Sequence, residues 1–178
     1  LEAQERFAEA ANEYREILKT SPQRAGIHYR LARMILRSDP SADADQKALA
    51  ELRRELEINP AHAGALTEIG EIHLKRSQLE GASRAFSQAV SLQPGDAAAR
   101  VGLARVLIAE RQWSKALEHL EAAAKATPAE EAVFYNLMLA YRGLGRSADA
   151  KRALDAFQRL KQENQRRRSP AMKALPSP

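Results

Sequence analysis

Apolar residues in this chain recur every third or fourth position over stretches of about a dozen residues, which is the period of one helix face. The stretches RAGIHYRLARMIL, HAGALTEIGEIHL, DAAARVGLARVLI and EEAVFYNLMLAYR each begin just beyond a proline, and each predicts an amphipathic helix. A second set alternates with them: AANEYREILKTSP at 10–22, ALAELRRELEINP at 48–60, ASRAFSQAVSLQP at 82–94 and ALEHLEAAAKATP at 116–128. Each of these opens on Ala, carries a large apolar residue at its fifth place and closes on Pro. A further copy, AKRALDAFQRLKQ at 150–162, keeps the Ala and has Leu154 at the fifth place, but ends on Gln162. The closing prolines are Pro22, Pro60, Pro94 and Pro128, so the two later intervals are equal and the first is slightly longer. Two helices per interval, joined by short polar turns, predict a helical hairpin that repeats. Runs of β-branched and aromatic residues are almost absent, so strands are not expected.

The turns carry their own expectations. Ser21-Pro22, Asn59-Pro60 and Thr127-Pro128 each place a good N-cap before a proline in a first helical turn, and Thr127 with Glu130 fits a capping box. Four extra residues, around SDPSADAD, lengthen one turn. Helices of this length are marginal alone in water. They are expected to be held by stacking on their neighbours, as in a solenoid.

This pattern resembles the tetratricopeptide repeat family, whose hairpins carry a large residue, Leu-Gly/Ala and Tyr in the first helix, then Ala, Phe, Ala and a closing Pro. Residues 63–96 match it with Leu66, Ile69-Gly70, Ala82, Phe86, Ala89 and Pro94. Residues 97–130 match with Leu103-Ala104, Leu107, Ala116, Leu120, Ala123 and Pro128. Residues 131–164 match with Phe134, Leu137, Tyr141, Ala150 and Leu154, and residues 25–62 with Leu31-Ala32, Ala48, Leu52 and Pro60. Small residues at Ala10, Ala48, Ala82, Ala116 and Ala150 suit close helix crossings. The resemblance implies an all-α, right-handed superhelical solenoid of about four and a half hairpins over residues 1–164. Residues 165–178 are then a basic, Pro- and Ser-containing tail expected to be disordered. Residues 1–24 supply only a second helix, so one apolar side, with Leu1, Phe7 and Tyr14, is expected to lie uncovered. Loss of a preceding helix is preferred to self-capping as the explanation.

Composition narrows the function. The chain has 178 residues, no cysteine and a net charge of +5. Without cysteine there is no disulfide, thiolate metal site or thiol catalysis, and the compartment stays open between cytoplasm and export. No apolar run approaches the roughly 20 residues that span a bilayer. Residues 161–178 carry five basic residues and one acid, leaving +1 for the rest. The basic character therefore belongs to the tail, and nucleic acid is not the expected partner. The tail offers only a few charges for weak, salt-sensitive contact with nucleic acid or an anionic surface, without an aromatic stacking platform.

The resemblance further implies that first helices line a concave groove for a peptide or protein partner. In that register the groove holds Tyr29, Thr67, Val101 and Tyr135, then Leu36, Leu74 and Ile108, with Asn136 beside Tyr135. Arg30, Arg33 and Arg37, spaced by three and four, share one helix face. They suit an acidic ligand, since a guanidinium binds carboxylate bidentately. The competing reading is a structural ladder, Arg33–Glu71–Arg105, across successive first helices. The family's carboxylate clamp of Lys and Asn is absent: those places hold Thr67, Glu71, Val101 and Arg105. No cofactor or metal is expected, because the four histidines form no ligand-spaced cluster; His28 and His73 are read as packing residues, with His62 near a helix end and His119 on a second helix. No nucleophile motif or phosphate loop is present either, and Gly143-Leu-Gly145 reads as a turn. The chain is therefore expected to be a non-catalytic interaction module. The alternatives are a spacer or oligomerisation segment that self-associates through the N-terminal helix, and weak anion binding by the tail.

Overall fold

The computed structural model describes residues 2–168, and it is helical throughout, with no strand among the described residues. Contacts divide the chain into two compact units, residues 1–94 and 95–178. The first contains α1 (Glu2–Thr20), α2 (Ile27–Ser38), α3 (Ala42–Ile58), α4 (Ala63–Lys75) and α5 (Leu79–Leu92). The second contains α6 (Ala97–Ala109), α7 (Trp113–Ala126), α8 (Glu131–Gly143) and α9 (Ser147–Arg168). Within each unit every helix packs antiparallel-fashion on the next one in sequence, as hairpins with three-residue inner turns require. Helix α9 continues to Arg168, so residues 165–168 of the expected tail are helical, and the remainder of that tail lies outside the described residues.

The alanine columns do what the spacing predicts. Ala48, Ala82, Ala116 and Ala150 are buried, next to Leu52, Phe86 and Leu120, which are fully enclosed. In the first unit Leu31, Ala32, Ile35, Ala44, Leu49 and Ile72 complete the core. In α1 the buried alanine is Ala11 and not Ala10, and its stripe runs through Ala11, Tyr14 and Leu18, spaced three and four. The uncovered side expected at this end is not found among the described side chains. Tyr14 packs into the core, Phe7 is half-buried beneath the Arg37 guanidinium 5.3 Å from its ring centre, and the exposed residues from Glu5 to Thr20 are polar apart from Ala8. Leu1 lies outside the described residues.

Two expectations about helix ends are corrected. Asn59 and Thr127 are not N-caps but C-caps of α3 and α7, their N–H groups donating to Glu55 O and Ala123 O. Ser21 does the same to Ile17 O just beyond α1. The prolines thus follow a finished helix, which they cannot extend, and the next helix starts beyond them at a cap of its own. Those caps are Gly26, His62, Asp96 and Glu130; the His62 ring accepts from Ala65 N, and Asp96 from Ala98 N and Ala99 N. The second correction concerns the extra residues near SDPSADAD. The turn there is three residues long, like the others, while α3 has 17 residues against 14 in α5 and α7. Ser41 caps α3 at Ala44 N, and Asp43 and Asp45 sit in its first turn, where negative charge favours the helix dipole. The acidic insert is therefore helix rather than loop.

Three inner turns repeat one conformation. Ser77, Arg111 and Gly145 hold the same place in successive hairpins and are left-handed, with φ of 57°, 59° and 71°. In each, the following N–H reaches back five residues: Gln78 to His73 O, Gln112 to Leu107 O and Arg146 to Tyr141 O, a Schellman closure. A side chain in this conformation costs about 1–2 kcal/mol, against roughly 0.5–1 kcal/mol for the extra unfolded freedom of glycine. Arg111→Gly should therefore stabilise the chain by about 0.5–1 kcal/mol, seen as a higher urea midpoint. An unchanged or lower midpoint would show that the arginine stem contributes packing of its own.

Candidate functional site

Helix α2 carries the densest concentration of the expected groove residues. Its buried side, with Ile27, His28, Leu31, Ala32 and Ile35, faces the first unit's core. That burial turns Arg30, Arg33 and Arg37 away from it, since residues three and four apart share a helix face. Arg30 and Arg37 are exposed, and Arg33 is half-buried. The Arg33 guanidinium stands 5.6 Å from the Tyr29 ring centre, and Tyr29 in turn packs 4.5 Å from the His62 ring. This stack fixes the middle of the arginine row, while the Phe7 ring steadies Arg37 at its end. Arg30 forms no ion pair with any described residue.

The counter-charge to Arg33 is Glu68, at 3.5 Å, rather than the expected ladder partner Glu71 one turn along α4. Burial raises the Glu68 carboxyl above its ordinary range, Arg33 and Arg37 work against that, and Glu71 beside it adds to the rise. Thr67 is half-buried and its hydroxyl donates to Ala63 O, and Leu74 is half-buried at the far end of α4.

In the second unit the expected residues divide. Arg105 and Tyr135 are exposed and Ile108 half-buried, with the Tyr135 ring 5.6 Å from that of Phe157 on α9. Val101 and Asn136 are buried, contrary to their expected place on a ligand surface. Asn136 spends its amide on its own helix, donating to Ala132 O at 2.7 Å. Helices α6 and α8 pack on each other, which encloses side chains at this level.

The histidines have packing and capping roles. His28 is buried, its Nδ1 2.6 Å from Glu51 Oε2 and its Nε2 3.1 Å from Pro22 O. His73 meets Gln78 Oε1 at 2.7 Å. His119, in the second unit, is held below its ordinary pKa by burial and by Arg100, whose guanidinium is 3.4 Å away. No group of three or more potential metal ligands occurs among the described residues. No described helix is long and apolar enough to cross a membrane. Trp113, the first residue of α7, lies against the backbone of Gly143 at the end of α8.

Two buried acids were missed from the sequence. Glu55 is wholly enclosed and accepts from Gly26 N at 2.8 and 2.9 Å and from Tyr29 N at 3.3 Å. It holds the start of α2, and hence Tyr29 and the arginine row, from α3. Asp45 is likewise buried and receives Lys75 at 2.9 Å and Arg76 at 3.6 Å from the end of α4. The signal was present: in the next two hairpin copies Glu55 corresponds to Ala89 and Ala123, and Asp45 to Leu79 and Trp113. An acid in an apolar column announces a buried partner.

Comparison with known proteins agrees with this architecture. Tetratricopeptide repeat profiles match residues 1–63 and 73–138. No curated protein matches the chain. Solved structures of similar fold include a crystal structure of MamA, with 19% identity, a TM-score of 0.73, and 90% of this chain and 91% of that one covered. Another is a MamA RS-1 ArsTM double mutant, with 20% identity, a TM-score of 0.73, and 89% and 86% covered. A third, residues 41 to the end of MamA from Desulfovibrio magneticus RS-1, has 21% identity, a TM-score of 0.67, and 92% and 88% covered. At these identities the likeness is one of fold.

Proposed function

Because the chain belongs to the tetratricopeptide repeat family, and so is a protein-interaction scaffold in general terms, we propose that its α2 face binds an acidic peptide segment of a partner protein without catalysing a reaction. The observation that carries this is the arginine row. Three guanidinium groups share one face of α2, and among the described residues the carboxylate paired with them is Glu68, which meets Arg33 alone, at 3.5 Å. Arg30 and Arg37 are exposed and form no ion pair with a described residue, and the Tyr29–His62 stack gives the ligand backbone a flat, rigid neighbour. A preformed face of this kind loses little freedom on binding, so the ordering cost falls mainly on the peptide.

The test is a calorimetric titration of the full chain with a peptide alternating Glu and Asp with small residues, and with its Lys counterpart. The acidic peptide should bind and weaken as salt rises. Arg30→Glu, Arg33→Glu and Arg37→Glu together should weaken it at least tenfold. Equal binding of the triple variant, or of the lysine peptide, would overturn the proposal.

A further inference from the structure

The opposite side of α2 faces a second feature. Helices α1 and α3 both pack on α2, and between them the first unit opens a cleft of ≈ 730 Å³. This lies within the range of about 300–1,000 Å³ usual for ligand sites. Leu31 and Ile35 of α2 line its floor, joined by Leu18 from α1 and Ile58 from α3. His28, Leu31 and Ile35 lie about 200° around α2 from Arg30, Arg33 and Arg37 at 100° per residue, so the cleft is separate from the arginine row.

The banks are basic. Arg15 and Lys19 stand one turn apart on α1, and Lys47 and Arg54 two turns apart on α3. Two acids enter the lining. Glu51 is already occupied by His28 at 2.6 Å and by Arg54 at 2.7 Å, which leaves Glu57. Lys19 leans on Glu16 and Lys47 on Asp43, both in exposed pairs of one helix. Such pairs are worth roughly 0–1 kcal/mol, so an arriving ligand displaces them at little cost. Among the described residues, Arg15 is tied only to the neutral side chain of Asn12.

The arrangement of these charges selects the ligand. A point anion needs donors that converge on one spot, whereas here the cations are spread over about 6 Å of helix axis on α1 and about 10 Å on α3, at 1.5 Å per residue. Between them lie the half-buried Leu18 and Ile58, with the nearly enclosed Leu31 and Ile35 beneath. We propose that this cleft docks an amphipathic acidic helix of a partner protein, its apolar stripe on Leu18, Leu31, Ile35 and Ile58 and its carboxylates against Arg15, Lys19 and Lys47. The mode is helix-in-groove recognition, with the ligand in the place of a further helix between α1 and α3.

The probe is a synthetic peptide with leucines at every third or fourth place among glutamates and aspartates, added to the full chain labelled with ¹⁵N. Saturable shifts are expected at the amides of Leu18, His28 and Ile58, with affinity falling as salt rises. Arg15→Glu, Lys19→Glu and Lys47→Glu together should weaken binding at least tenfold and lower the melting temperature only slightly, because all three side chains are exposed and only the surface pairs of Lys19 and Lys47 are reversed. The triple reversal of Arg30, Arg33 and Arg37 should leave these shifts in place. Absence of saturable binding, shifts confined to the arginine face, or equal binding by a lysine analogue of the peptide would each overturn the proposal. The shift map comes from the unaltered chain and does not depend on any variant folding.

Discussion

Glu55→Ala is expected to destabilise the first unit by about 3–4 kcal/mol, since hydrogen bonds to a charged group contribute roughly 1.5–3 kcal/mol and two part-buried N–H groups lose their acceptor. Alanine fits the position sterically, because Ala89 and Ala123 occupy it, fully buried, in the next two hairpins. The loss therefore isolates the carboxylate's bonds to Gly26 and Tyr29 from any clash. Gly26 itself has φ 82°, a conformation that lets its N–H turn toward α3 and that other residues adopt only with strain. Glu55→Gln keeps one carbonyl acceptor and should lose about half as much. Urea denaturation read by circular dichroism checks both. A loss under about 1 kcal/mol for Glu55→Ala would mean that water replaces the carboxylate.

Phe86→Ala should cost about 3–5 kcal/mol, the range for removing an enclosed aromatic ring. Its partner is the backbone of Gly70, where an added Cβ would lie 2.7 Å from two atoms of the ring. Phe86 is fully buried, so Gly70→Ala should cost about 2 kcal/mol by overpacking, despite the better helix propensity of alanine. The two changes should not add. Once Phe86 is truncated, Gly70→Ala should become neutral or stabilising, a coupling that a double-mutant cycle in urea measures directly. Simple additivity would show that the close approach between α4 and α5 relaxes in solution.

The hairpins were legible because the repeat states each feature several times: the columns of Ala48, Ala82 and Ala116 and of Leu52, Phe86 and Leu120 predict their own burial, and all are enclosed. Helix ends were less legible because proline suits both a first helical turn and the segment after a C-cap. At Asn59 and Thr127 it serves the second purpose. The acidic stretch before Gln46 reads as a turn by composition, yet Ser41 caps it into helix. On the binding face, spacing alone placed Arg30, Arg33 and Arg37 together. It did not tell Glu68 from Glu71 as the counter-charge, because both lie within a long side chain's reach along α4. Nor did it foresee that Val101 and Asn136 are covered, since burial there depends on how α6 and α8 pack.

The central claim is that acidic segments are recognised by the arginine row on α2. The most direct measurement is selection from a random peptide library on the immobilised full chain, beside the Arg30→Glu, Arg33→Glu, Arg37→Glu variant and the Arg15→Glu, Lys19→Glu, Lys47→Glu variant. Peptides rich in Asp and Glu should be recovered, and those without a leucine stripe should vanish with the α2 variant alone. A pool without acidic enrichment, or one that the α2 variant recovers unchanged, would contradict the account.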